Sequence, residues 1–469
     1  MDLVIKNLNR KTLVTIALIS LLSEVWLVLI AGLELFKILV VSSFLILSIS
    51  IIIEPYFGFF ILLIITNFIE GKLLENFFLF KLFGFHWYLM DLIFFAMLLS
   101  TLFRFLSGEY EIKYNTLFFW LTVFLLVCFF GAFWGLKMGN EPQAVFFDLR
   151  SFFYYMIFIP VIFLLKDFNK LKRLFYFLIL IGVLKSIIDS YLSIFVYLPT
   201  YDSSSLIYLP FARLTGYSEV VYPLTLVGSL TYLFFTKDLN IRVTLLIFSI
   251  FSVIALFLSY TRGSWYASII TVLLGAVILL YSKRIKFNIV FTIAIILFIA
   301  VITPFLVITK VIPLDIIIDR VTSVTLHKID ISNLGRLVEY ATAFSFFLGN
   351  PVLGAGLGIS YNYYTPGIGY QSTIYTHNSY LYVLSKMGLL GFVPFIITLY
   401  YAFIVGVRVC KSRRFSDEET GIVFSFSMMF AFLLFKSFTT WHLNTVTFSL
   451  FIGFLLGIFI LYANKIKEK

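Results

Sequence analysis

Apolar runs of about 20 residues, each long enough to cross a hydrocarbon core of about 30 Å, follow one another along nearly the whole chain. Short polar turns separate them, and one long polar interruption runs from Thr309 to Tyr375. The runs are apolar all round rather than on one stripe, as expected of helices surrounded by lipid or by other apolar helices. They predict spans at 12–30, 35–53, 56–69, 86–106, 116–135, 150–165, 172–198, 218–236, 241–260, 264–282, 286–308, 389–409, 420–437 and 443–462. The third is short, so the expected count is about 12 to 14. Lys6, Arg10 and Lys11 precede the first run as in a signal peptide. The run is longer than an h-region and no small-residue cleavage site follows, so it reads as an uncleaved span. The expected fold is all-α: a polytopic helical membrane protein with one long outer loop containing short helices. Its regions are N-terminal helices in 1–308, an extracytoplasmic loop in 309–388 and C-terminal helices in 389–469. Residues 377–388 are expected to form a separate short helix before the next span.

Composition agrees with the pattern: 61% of residues are hydrophobic and only 13% charged, which excludes a soluble domain of this length. Phe (58) and Tyr (28) are abundant enough to supply interfacial belts. Charge then orients the chain. With the N-terminus inside, the inner loops carry Lys166/Lys170/Lys172/Arg173, Lys237/Arg242, Lys283/Arg284/Lys286, Arg408/Lys411/Arg413/Arg414 and Lys465/Lys467/Lys469. This is the positive-inside bias repeated loop after loop. The net charge of +11 is thereby accounted for by topology and anionic lipid, and needs no nucleic-acid partner. Cys128 and Cys410 fall in different spans, without metal-ligand spacing, so neither a disulfide nor a metal site is expected.

The polar residues on the expected outer side carry the candidate chemistry. Arg213 (in Arg213-Leu214-Thr215-Gly216), Arg262 (in Ser259-Tyr260-Thr261-Arg262-Gly263), Arg320 and Arg336 break the positive-inside rule. All four histidines, His86, His327, His377 and His442, lie on that side or at its boundary. A guanidinium stays charged and its planar fork suits phosphate oxygens. The set therefore suggests an anionic, phosphorylated substrate, although each Arg would also serve as an anchor among lipid headgroups. The anchor reading suits Arg320; the tight turn around Arg262 suits function. His377 opens Thr376-His377-Asn378-Ser379-Tyr380-Leu381 at the join between loop and membrane, where it is either a base or an interfacial helix cap. Within the loop, 333–348 reads as a helix that Ser332 or Asn333 caps and Asn350-Pro351 stops. Arg336 and Glu339 share one side of it. Leu337, Ala341, Phe344 and Leu348 form an apolar stripe, to lie on the bilayer or pack on the bundle. Pro351 to Gly358 is a Gly-rich bend without the context of a nucleotide site. No Asp-x-Asp occurs, so no acidic metal-diphosphate site and no cofactor is expected. Asp315 and Asp319 are weak metal candidates, and Lys185 with Asp189, at i,i+4, reads as an intramembrane ion pair.

In their order, these pieces resemble the O-antigen ligase family, whose relatives include O-antigen and other surface-glycan polymerases. The matching residues are Ser259-Tyr260-Thr261-Arg262-Gly263, Gly335-Arg336 and Asn350-Pro351-Val352-Leu353-Gly354-Ala355-Gly356. His377-Asn378-Ser379-Tyr380-Leu381 and Met387-Gly388-Leu389-Leu390-Gly391 follow, and Arg213-Leu214-Thr215-Gly216 is a weaker match. The specific motifs concentrate in 213–391; the resemblance in shape covers the whole chain.

The resemblance implies a polytopic C-type glycosyltransferase of the cytoplasmic membrane with its site on the extracytoplasmic face. It implies a glycan donor on undecaprenyl diphosphate. The acceptor is lipid A-core for a ligase, or a second lipid-linked repeat for a polymerase. It assigns His377 as base and Arg262 and Arg336 as essential arginines, in an inverting, metal-independent reaction. Arg213, Tyr260 and Asn378 are the expected substrate-binding residues, and membrane lipids the surroundings. Local motifs do not separate ligase from polymerase. A glycolipid transporter or flippase is the competing class, but it predicts internal repeats and midplane charges, whereas no repeat relates the halves and the polar residues concentrate at the periphery. A non-catalytic scaffold explains the spans but not the Arg and His arrangement. On these assignments His442 and His327 serve as internal controls, whose replacement should spare activity.

Overall fold

The computed structural model describes residues 46–68, 78–82, 85–109, 111, 113–197, 218–259, 261–284, 331–365 and 369–467. Arg213, Tyr260, Asp315, Asp319, Arg320, His327 and the expected spans 12–30 and 286–308 lie outside them. The chain divides into two units: Met1–Leu62 with Lys72–Glu111, and Leu63–Gly71 with Ile112–Lys469. Among the described residues nine helices are long and apolar enough to cross a membrane, joined by two shorter apolar helices, Pro55–Thr66 and Val220–Leu233. The polytopic helical class is borne out.

Helix α1 (Pro55–Phe68) begins in the smaller unit. Also in that unit are strands β1 (Phe78–Leu82) and β2 (Phe85–Tyr88), an antiparallel pair, and helix α2 (Leu89–Leu106). The span expected from residue 86 thus starts at Leu89. Asp91 fixes the start by accepting the Tyr88 N–H at 2.8 Å, a reciprocal capping contact. Ser100 and Arg104 of α2 donate to the carbonyls of Ile52 and Ile53, at 2.7 and 2.8 Å.

The larger unit starts with α3 (Thr116–Lys137), α4 (Pro142–Phe153), a 3₁₀ turn (Tyr154–Ile157) and α5 (Phe158–Leu164). The span expected at 150–165 is in fact Pro142–Leu164, since Pro142 is favourable in a first turn. Then come α6 (Phe168–Tyr191), α7 (Ser218–Leu233), α8 (Leu239–Leu258) and α9 (Arg262–Tyr281). The expected pair on α6 is present: Lys185 Nζ is 2.9 Å from Asp189 Oδ1, and Tyr222 of α7 donates to the other carboxylate oxygen. A partner for each carboxylate oxygen makes this a satisfied core contact. Helix α10 (Ile331–Gly349) precedes the hairpin β3 (Tyr361–Thr365) and β4 (Gly369–Thr373). Helices α11 (Ser379–Lys411), α12 (Asp417–Lys436) and α13 (Val446–Lys467) close the unit. Cys128 and Cys410 are buried free thiols.

The Gly-rich stretch does more than return the chain to the bilayer. Helix α11 breaks at Gly388 (φ 57°, ψ −159°), which divides the expected short helix from the span. The stretch threads the break. Leu389 and Leu390 donate N–H to the carbonyls of Pro351 and Val352 (2.9 and 3.0 Å), while Ala355 and Gly356 donate to those of Ser385 and Lys386 (2.9 Å each). Backbone groups that an interrupted helix would orphan are thereby satisfied. The approach requires glycine: a Cβ on Gly388 would sit 2.3 Å from the Val352 carbonyl oxygen, and one on Gly354 2.5 Å from the Lys386 carbonyl carbon.

The same stretch joins α3 and α4. Asn140 Nδ2 donates to the carbonyls of Ala355 and Leu357 (3.1 and 2.8 Å), and Trp134 Nε1 to that of Gly354 (3.2 Å). Gly358 N–H donates to Asp148 Oδ2 at 2.6 Å, and Lys386 Nζ stands 2.6 Å from that oxygen. Tyr382 donates to Oδ1, and Lys386 donates further to the Ile374 carbonyl at 2.8 Å. Asp148 and Lys386 have 0% side-chain exposure, and three further groups satisfy this buried charge pair beside the segment that carries His377.

Candidate functional site

Helix α10 has two unlike faces. Leu337, Phe344 and Leu348 point outward, exposed. The expected apolar stripe is thus turned away from the other described helices. On the opposite face Glu339 is 1% exposed and Ala343 fully buried. Arg336, Glu339 and Tyr340 stand at i, i+3 and i+4, so they occupy neighbouring positions on one helical face.

That face meets His377. Glu339 Oε1 accepts the His377 backbone N–H, and Oε2 lies 2.7 Å from Nδ1 of the ring. Tyr340 donates its hydroxyl to the His377 carbonyl at 2.9 Å, and Tyr363 of β3 reaches Oε2 at 3.5 Å. Burial, together with the nearby carboxylate, raises the Tyr363 phenol above its ordinary range; burial pushes Tyr340 up to about 12. Both therefore remain hydroxyl donors at neutral pH. The His377 side chain is 36% exposed, and its Nε2 makes no hydrogen bond to a described residue.

Asn378 is the N-cap of α11: its Oδ1 accepts the N–H groups of Tyr380 and Leu381, 3.0 Å each. This satisfies donors that the first turn leaves open and explains locally why a helix starts beside His377. Its side-chain oxygen is thus occupied by its own helix.

The far wall comes from the chain after α12. Ser379 N–H donates to the carbonyls of Ser437 and Thr440 at 3.0 and 3.2 Å, and its hydroxyl to Thr440 at 3.0 Å. The Trp441 ring meets His377 edge-on at 4.6 Å between centroids and stacks with Tyr375 at 5.6 Å. The first turn of α9 leans on the same segment. A Cβ on Gly263 would lie 2.7 Å from Thr439 Oγ1 and 3.3 Å from Nζ of Lys436, a buried residue. Arg262, half-buried at the first position of α9, is thus tied to the segment that holds His377.

The structure therefore gathers His377, Asn378 and the Arg336 face of α10 directly, and brings the Arg262 turn to them through 436–441. Sequence reasoning placed Glu339 beside Arg336 but gave it no role, and it missed Lys436 and Trp441. The i,i+3,i+4 spacing of Arg336, Glu339 and Tyr340 was the available signal. His442 is no clean control. It is buried in the 3₁₀ turn His442–Asn444 against Phe448, and the neighbouring Leu443 binds both Ser379 Oγ and the Tyr155 hydroxyl.

A search of curated proteins finds no match to this chain. The family model described as O-antigen ligase matches residues 247–396. That stretch runs from within α8 through the Arg262 turn, α10, the Gly-rich stretch and His377, past the break in α11. Over this stretch, about a third of its length, the chain is similar to the O-antigen ligase family.

Proposed function

We propose that the protein is a membrane glycosyltransferase that moves a glycan from undecaprenyl diphosphate to a hydroxyl acceptor, with His377 as the base. The observation that carries the reading is the setting of His377. Its backbone and Nδ1 are fixed by α10, Nε2 is left open, and Arg336 stands one turn away on that helix. The acceptor hydroxyl attacks the anomeric carbon as its proton passes to Nε2. The bond from that carbon to the diphosphate oxygen breaks with inversion, and the lipid diphosphate departs with the electron pair. Arg262 and Arg336 stabilise the charge growing on the leaving oxygen, with Arg213, Tyr260 and the Asn378 amide in supporting substrate contacts. No resident metal or cofactor enters this scheme. The positive-inside loops support a site on the extracytoplasmic face of the cytoplasmic membrane.

The acceptor is lipid A-core in the ligase form of this reaction and a second lipid-linked glycan in the polymerase form. We favour the ligase form, since the matching family model bears that description. The test uses purified protein in lipid nanodiscs with an undecaprenyl-diphosphate-linked glycan. Transfer that requires added lipid A-core supports the ligase. Ladder growth on the donor alone supports the polymerase, and movement of intact donor across vesicles without transfer supports a flippase. The His377→Ala variant should bind donor as the wild type does and transfer none; wild-type turnover in that variant removes the base.

A further inference from the structure

Glu339 offers two oxygens to one residue. Oε1 accepts the His377 backbone N–H and Oε2 faces Nδ1 at 2.7 Å. The backbone contact anchors the carboxylate, so Oε2 cannot swing away without releasing Oε1. A carboxylate is an acceptor only. Nδ1 must therefore carry the proton in the neutral ring, which leaves the Nε2 lone pair bare. The other contacts preserve that arrangement. Tyr363 can only donate to Oε2, Tyr340 holds the His377 carbonyl, and the Trp441 ring, edge-on with centroids 4.6 Å apart, limits rotation of the imidazole.

From this geometry we infer that Glu339 is the positioning residue for His377: it holds the imidazole in the tautomer and orientation that expose Nε2 as the proton acceptor. The inference rests on the proposed role of His377 for its kinetic consequence, but not for the tautomer itself. Glu339 lies behind the ring, 1% exposed, so it acts through His377 rather than on substrate.

Its oxygens also make Glu339→Gln a sharper test than Glu339→Ala. Glutamine keeps the shape but has one acceptor and one donor in place of two acceptors. If its oxygen keeps the backbone N–H, its NH₂ faces Nδ1, which must then become the acceptor and pass the ring proton to Nε2. If the amide turns over, its NH₂ meets the backbone N–H and the anchor is lost. In the first case the bare lone pair moves to Nδ1; in the second the amide oxygen can keep Nδ1–H, but the ring loses its backbone anchor. Wrong-tautomer substitutions of an orienting carboxylate cost up to about 10⁴-fold in kcat, so we expect a fall of roughly 10²- to 10⁴-fold. The KM for the lipid-linked donor should stay within about twofold, because ground-state binding is untouched. Glu339→Asp keeps both acceptors on a shorter stem and should recover at least about tenfold over the Gln variant.

The tautomer is read directly by nitrogen NMR of [15N]histidine-labelled protein in nanodiscs at mildly alkaline pH. The chain has four histidines, and His377 is assigned by its loss in His377→Ala. The wild-type spectrum alone, which needs no variant to fold, should show His377 protonated at Nδ1 with Nε2 bare; protonation at Nε2 overturns the inference. Glu339→Gln should shift the population towards Nε2–H or, where the amide turns over, lower kcat through the lost anchor; an unchanged tautomer with undiminished kcat also overturns the inference. A shifted tautomer with undiminished kcat upholds the hold of Glu339 on the ring but overturns His377 as the base. The two ideas therefore fail separately.

Discussion

Asp148→Asn removes one unit of charge from a fully buried site and leaves the side-chain volume almost unchanged. In the native chain the carboxylate meets Lys386 Nζ and the Gly358 N–H, each at 2.6 Å, and the Tyr382 hydroxyl. The asparagine leaves the Lys386 ammonium fully buried, with the Ile374 carbonyl at 2.8 Å as its remaining hydrogen-bond acceptor. Removing one member of a buried ion pair costs about 3–5 kcal/mol, because the other charge stays desolvated. At roughly 2 °C per kcal/mol for a large domain, that is a fall in Tm of about 6–10 °C. The assay is thermal unfolding in nanodiscs, followed by the fluorescence of the six tryptophans. The double variant Asp148→Asn/Lys386→Met removes both charges. Asn Oδ1 can still accept Gly358 N–H, and Asn Nδ2 can donate to the Tyr382 oxygen. It should recover more than half of the loss, since replacing a whole buried pair is often near neutral. Two results refute this reasoning: a single variant within about 2 °C of wild type, or a double variant less stable than Asp148→Asn alone.

Other substitutions separate geometry from charge. Arg262→Lys and Arg336→Lys keep a cation but lose the planar fork, so each should lower transfer about 10²-fold or more with normal expression. Arg320→Lys should be nearly silent, and equal losses at all three would favour a diffuse electrostatic surface. Gly388→Ala should cost well over the ~1–2 kcal/mol of a non-glycine residue in left-handed backbone, because its Cβ would strike Val352. Gly139→Ala, at φ +82° with nothing within 4 Å of the added Cβ, should cost only that conformational amount in the same melting assay.

How much the sequence disclosed follows from what periodicity can carry. Runs without a polar face identified the spans, and Pro and Gly marked the end of α10 and the stretch beyond it. Partners were not legible. Asp148 and Lys386 stand 238 residues apart, and nothing local to either says that the other neutralises it. Glu339 and His377, 38 apart, are joined by the fold of the loop. The hairpin β3–β4 was missed although Tyr361 and Thr365 are buried while Asn362 and Tyr364 are exposed. An alternation this short is masked when nearly every second residue is aromatic. His442 was read as a bystander because a histidine in a turn gives no hint that the turn braces the start of another helix.

The break at Gly388 also isolates the site mechanically. A continuous helix of 33 residues would be a rod of about 50 Å, and any shift of its lower part would be delivered in full at its upper end. Each residue of slippage would turn His377 and its neighbours by about 100° around the axis. Here the rotational phase of the upper segment is set by the backbone bonds on either side of the break, not by the span below it. Thinning or thickening of the bilayer, which membrane helices commonly meet by tilting, can be absorbed by Leu389 to Lys411 like a shaft turning below a universal joint. The register of the imidazole with α10 would then depend on those backbone bonds rather than on the tilt of the span.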